Sequence, residues 1–109
     1  MFAQICVEEA TSEDVDPAVL FCQAMHETGW LQFGGLVSPE QCNFGGLGAT
    51  GPGHPGESFP DVRTGLKAQV QHLKAYACTL PIKNPPIVDK RFDRVTRGCA
   101  PCVTDLNGK

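Results

Sequence analysis

The sequence predicts a mainly α domain, and three observations carry that prediction. Asp16-Pro17 pairs a side-chain acceptor with a proline, the combination that opens a helix. Leu66, Val70, Leu73 and Ala77 recur at i, i+4, i+7 and i+11, which places them along one helical face. No stretch alternates apolar and polar residues for long enough to make a half-buried strand, and no segment repeats.

The elements follow in order. MFAQICVEEA puts Phe2, Ile5 and Cys6 on one side of a helix, with Glu8 and Glu9 late. Thr11-Ser12-Glu13-Asp14 reads as a turn. The next helix runs through DPAVLFCQAMHETG, with Val19, Leu20, Ala24 and Met25 as its apolar side and Gly29 as its stop. Glu27 therefore falls in its last turn. Residues 34–58 are too rich in glycine and proline to stay regular. They read as a long ordered loop anchored by Phe44, Leu47 and Phe59, and loops of that length in compact domains are commonly functional. A second strong helix, capped by Asp61 or Thr64, ends near Cys78. Asp61-Val62-Arg63 reads as a cap with a local ion pair. Asp89 opens a short helix with Phe92 and Val95 inward and Gly98 as its stop. Cys99-Ala-Pro-Cys102 is a turn, and Thr104-Asp105-Leu106 begins a further helix.

Bulk properties narrow the function. A chain of 109 residues is one domain or a fragment of one. With 41% apolar and 19% charged residues it has the composition of a soluble globular domain. A net charge of −3 without a basic stripe excludes a nucleic-acid partner. The uncharged stretches are rich in Gly and Pro, so a transmembrane helix and a membrane partner are not expected. The N-terminus lacks the basic region, apolar core and small-residue cleavage site of a signal peptide. It implies a cytoplasmic protein, another export route or a missing original start.

Six cysteines (Cys6, Cys22, Cys42, Cys78, Cys99 and Cys102) allow three disulfides, but without a signal peptide reduced thiols are the expectation. A lone C-x-x-C is short of the four ligands of a structural zinc site, and Cys42, Cys78, His54 and His72 stand at no recognised spacing from it. No metal and no cofactor are expected; a cysteine-stabilised or zinc-binding module is the remaining alternative. His72 and Tyr76 read as structural, and His54 as exposed in the loop.

The carboxylate in MHETGWLQFGG is the candidate for chemistry. The C-terminal end of a helix disfavours negative charge. Desolvation by Met25, Trp30 and Phe33 would act in the same direction. Both favour the protonated form that a general acid needs. The alternative is an ordinary solvated glutamate on the outer face of a helix. Trp30 and Phe33 suit either sugar stacking or the core, with the core favoured for Phe33.

FCQAMHETGWLQFGG, SPEQCNFGGLGATG and SFPDVRTGLKAQVQHLKAY, taken in that order, resemble the bacterial glucosaminidase family, the cell-wall endo-β-N-acetylglucosaminidases of glycoside hydrolase family 73. The resemblance covers nearly the whole chain, from residue 2 to residue 109. It implies a lysozyme-like α fold with a groove between lobes, a peptidoglycan glycan strand as partner, and work outside the cell or in its wall, with the chain expected as a monomer. It makes Glu27 the general acid, protonating the leaving oxygen of the β-1,4 bond after N-acetylglucosamine. Asn43 matches the family's loop asparagine, which orients the loop or binds sugar. Phe44, Gly45 and Gly46 follow where backbone approaches closely, and Phe59 matches the aromatic that opens the next motif. Trp30, Asn43, Phe44, Gly45 and Phe59 are thus the expected substrate-binding residues.

The sequence also departs from the pattern. Glycosidases ordinarily use two carboxylates. Candidates for the second are Glu40, Glu57 and Asp61, while attack by the substrate's own N-acetyl group and direct inversion both stay open. Leu36 stands where relatives often have Asp, Val62 where they have Tyr, Cys42 where they have a second Asn, and His26 where an apolar residue is usual. Relatives continue past DLNGK into a segment with a tyrosine bordering the groove. The expectation is a single glucosaminidase-like domain over 1–109 that lacks its C-terminal segment, with a non-catalytic glycan-binding remnant as the alternative reading.

Overall fold

The computed structural model describes residues 2–28, 31, 39–45, 47, 49–51, 54–89, 92, 95, 97 and 98. They form helices α1 (Phe2–Ser12), α2 (Pro17–Thr28) and α3 (Val62–Ala77), with a short 3-10 turn at Pro39–Gln41. The class is mainly α, consistent with a lysozyme-like fold. One addition appears within the Gly/Pro-rich loop: β1 (Ala49–Gly51) pairs antiparallel with β2 (His54–Pro55). Strands of three and two residues are too short to show an alternating pattern in the sequence.

α1 extends two residues further than the sequence suggests and closes in a Schellman turn. Val15 N–H donates to Ala10 O and Asp14 N–H to Thr11 O, at 2.9 and 3.1 Å. Asp14 takes the left-handed conformation, φ 60°, that glycine usually fills there. Asp16 then caps α2 through a 2.9 Å bond from Ala18 N–H to its carboxylate, with Pro17 at the first helical position as expected.

α3 is the central element. Leu66, Val70 and Leu73 meet Ile5, Cys6 and Ala10 of α1, Leu20, Ala24 and Met25 of α2, and Phe44 of the loop in one core. On another side Ala68 packs with Leu47 and Phe59 in a second cluster. Ala77, assigned to the apolar face by spacing, lies beyond the core and is exposed. A helix covered on so many sides also buries Gln69, Gln71 and Lys74, and a buried polar group is costly unless it is hydrogen-bonded.

Each finds a partner from a different part of the chain. Lys74 Nζ meets Glu13 at 2.8 Å, both almost fully buried. Glu13 also accepts from the N–H groups of Lys83 and Asn84 at 2.9 and 2.7 Å. Gln71 donates to Pro86 O and accepts from Val88 and Asp89 N–H, so residues 86–89 are held along the helix. His72 contacts buried Asp89 at 2.8 Å and lies edge-on to Tyr76, which agrees with a structural role for both.

Two sequence expectations change. Arg63 does not pair locally; its guanidinium reaches Glu8 and Glu9 of α1 at 2.6 and 2.7 Å, an exposed pair of small energetic value. The helix expected after Asp89 appears, in its described residues, as successive i→i+3 bonds from Phe92 N–H to Asp89 O and from Val95 N–H to Phe92 O. Phe92 is buried, and Gly98 has φ 72° and donates to Ala75 O at 3.0 Å. Cys6, Cys22, Cys42 and Cys78 are free thiols. Cys99, Cys102 and the helix expected at Thr104 lie outside the described residues.

Two outcomes follow from this packing. A Cβ on Gly65 would sit 1.8 Å from Cys42 O, so the first turn of α3 rests directly on the loop backbone. Helix propensity alone favours Ala over Gly by roughly 1 kcal/mol. Steric conflict reverses the sign: Gly65→Ala should destabilise by about 1–3 kcal/mol or more in urea unfolding, and an unchanged midpoint would refute the contact. For Glu13, burial alone raises the carboxyl, but the bonds from Lys74, Lys83 and Asn84 outweigh it and hold the group below its usual 4.5. A lowered folded value contributes stability above the unfolded value and loses it as pH falls through the folded one. Thermal stability should therefore decline below about pH 4.5 in the wild type. Glu13→Gln should flatten that decline while costing roughly 3–5 kcal/mol at pH 7, because Lys74 is left buried and unpaired.

Candidate active site

Glu27 and Thr28 are consecutive on α2, about 100° apart around the axis, and the fold uses that angle to separate their roles. Thr28 is buried; its hydroxyl donates to Ala24 O at 2.7 Å and accepts from Leu31 N–H at 3.0 Å. It thus holds the end of the helix and the chain leaving it, where Leu31 has φ 67°. Glu27 points the other way, is exposed, and accepts no hydrogen bond among the described residues. Met25, expected to help desolvate it, is instead buried in the main core. Trp30 and Phe33 lie outside the described residues. The structural role of Thr28 was missed in the sequence; its one signal was a hydroxyl residue just before the stop glycine.

The loop is built around Asn43, which is 1% exposed. Its Nδ2 donates to Leu47 O at 2.9 Å and to Glu57 O at 3.0 Å, and its Oδ1 accepts from Leu47 N–H at 2.9 Å. Of the two roles open to this amide, orienting the loop is the one its bonds perform. Asparagine suits the task because one planar group supplies two donors and an acceptor. Gln41 Nε2 adds a 3.2 Å bond to the same Glu57 O, and Phe59 N–H donates to Gln41 O at 2.7 Å.

Phe44 is buried in the main core, edge-on to Phe2 with ring centroids 4.9 Å apart. Leu47 and Phe59 are buried together in the second cluster. Phe44 and Phe59 were expected to touch substrate; here their rings are buried, Phe44 in the main core and Phe59 in the second cluster. Gly45 is half-buried against α3, where a Cβ would meet Gln69 Cγ at 3.0 Å. Gly46 lies outside the described residues.

The candidate second carboxylates have different surroundings. Asp61 caps α3, accepting from Thr64 N–H at 2.7 Å, and that bond holds its carboxyl below the usual range. Glu40 is exposed in the 3-10 turn, and Glu57 is half-buried with its main chain inside the loop network. Among the described residues, no three His, Cys, Asp or Glu side chains are grouped so as to hold a metal ion. No helix among them is long and apolar enough to cross a membrane.

Comparison with known proteins gives the same placement. Residues 3–98 match the family model Glucosaminidase, described as mannosyl-glycoprotein endo-β-N-acetylglucosaminidase. An uncharacterized protein of Borreliella burgdorferi is 45% identical over 107 residues, covering 98% of this chain and 52% of that protein. The chain therefore spans about half the length of this relative. No solved structure matches.

If Asn43 organises the loop, removing its amide strands backbone groups of Leu47 and Glu57. Asn43→Ala should cost about 1–3 kcal/mol per stranded group, and amide exchange at Leu47 should accelerate. Unchanged exchange at Leu47 would show that the loop is held by other contacts.

Proposed function

The chain belongs to the glucosaminidase family, and from that premise we propose that it is a peptidoglycan hydrolase whose general acid is Glu27. Glycoside hydrolases of this kind act on glycans. The proposed bond is the β-1,4 linkage after N-acetylglucosamine, in the cell wall. As C1–O breaks, the electron pair stays on the leaving oxygen, which takes the proton of Glu27. One water is consumed: its hydroxyl ends on C1 as a new reducing end, and its remaining proton restores, in net, the carboxyl of Glu27. The observation that carries this reading is the division of labour in Glu-Thr: a carboxyl on the open side of the last helical turn, on a backbone fixed by buried Thr28. Buried Asn43 supports it by shaping a loop that packs on α3 through Gly45 and on both cores through Phe44 and Leu47.

A second reading, a glycan-binding domain without catalysis, draws on one observation. Asp61 is committed to capping α3, which removes one candidate for the second carboxylate.

The two readings part on a single assay. Under the first, purified peptidoglycan releases reducing ends, and Glu27→Gln lowers the rate by at least about 100-fold, the scale of a general-acid contribution, with an unchanged melting curve. Full activity in Glu27→Gln would refute the assignment. Retention on peptidoglycan without reducing-end release, in folded wild type, would favour the binding domain.

A further inference from the structure

Gln69 is the buried polar residue of α3 whose partner lies on α2. Its Nε2 donates to Gln23 Oε1 at 2.8 Å. It is 1% exposed, and its Oε1 is buried without a hydrogen bond among the described residues. Gln71 on the same helix uses both its nitrogen and its oxygen. An apolar pair would pack α2 on α3 without stranding an acceptor. The amide pair therefore supplies direction and register, which dispersion does not.

Its location says what is being directed. Gln23 and Glu27 are four residues apart on α2, hence neighbours on one face. On its other side the stem of Gln69 supports the loop, since a Cβ on Gly45 would meet Gln69 Cγ and Cδ at 3.0 and 3.1 Å. Loop backbone, Gln69, Gln23 and the face of α2 bearing Glu27 thus form one continuous line of contacts. Rotation of α2 about its axis, or sliding along α3, breaks the Gln23–Gln69 bond.

We propose that Gln23 and Gln69 are positioning residues for Glu27, holding its carboxyl in register with the Asn43–Leu47 loop. This rests on the glycosidase reading for its kinetic consequence, because the group positioned is the same proton donor. It adds two residues that touch neither the carboxyl nor the reacting bond.

The test combines kinetics with a readout independent of turnover. Gln69→Met and Gln23→Met remove the bond at nearly constant volume. Gln23→Ala, at a half-buried position, is the variant to use if Gln69→Met does not fold. Expected are a loss in kcat of about tenfold or more in each single variant, within the range that small misplacements produce, and KM within twofold. The double Met variant should be no slower than the slower single, since the pair acts as a unit. The side-chain carboxyl 13C resonance of Glu27 should also move in each. Folded variants with kcat within twofold of wild type, or an unmoved Glu27 resonance, would overturn the proposal. If the wild type releases no reducing ends, the glycosidase reading fails by itself. The resonance then decides positioning: displaced by the Met variants, it stands; unmoved, it falls.

Discussion

A helix enclosed on nearly every side can keep its polar side chains only if the rest of the chain comes to meet them. α3 imposes that condition here, and much of the architecture answers it. Lys74 draws in Glu13 at the α1–α2 turn. Gln71 holds residues 86–89 along the helix. His72 meets Asp89, and Gln69 meets Gln23. The apolar cores provide most of the driving force for collapse, being non-directional and proportional to buried area. The polar partners settle which segment lies on which side of α3, because each unmet group would be costly in the interior.

The candidate site inherits its geometry from this arrangement. The Asn43 loop reaches α3 at two glycines. Gly65 lets the loop carbonyl of Cys42 sit against the first turn, and Gly45 lets loop backbone rest on Gln69. Phe44 and Leu47 then anchor the loop to separate cores. α2 brings Glu27 to the surface because Thr28, one residue on, is the side chain taken into the interior. Buried hydrogen bonds of Thr28 hold the end of α2, and those of Asn43 tie Leu47 and Glu57 within the loop.

Much of this was legible in the residues. Asp16-Pro17 marked the start of α2 and Cys78 the end of α3, since caps are local chemistry, while the start of α3 was open between Asp61 and Thr64 until the fold showed Asp61 accepting from Thr64 N–H. Asp14 was not legible as the end of α1: its backbone takes a conformation that glycine favours, and a sequence reading looks for glycine there. Phe44 and Phe59 were legible as anchors of the loop, but an aromatic in a glycine-rich stretch suits a core and a sugar face equally. Arg63 misled because its partners, Glu8 and Glu9, are more than fifty positions away in sequence.

The sequence by itself determined the helical class, the start of α2, the place of Glu27 in a last turn and the resemblance to glucosaminidases. All of these are set by short-range caps, by apolar periodicity or by ordered motifs. Only the tertiary structure decided that Asn43 spends its amide within the loop, that Met25 turns away from Glu27, that Gly65 admits a carbonyl, and that Gln69 joins α3 to the face of α2 bearing Glu27. Each of these depends on which distant segment approaches, and a single position in a sequence carries no record of its neighbours in space.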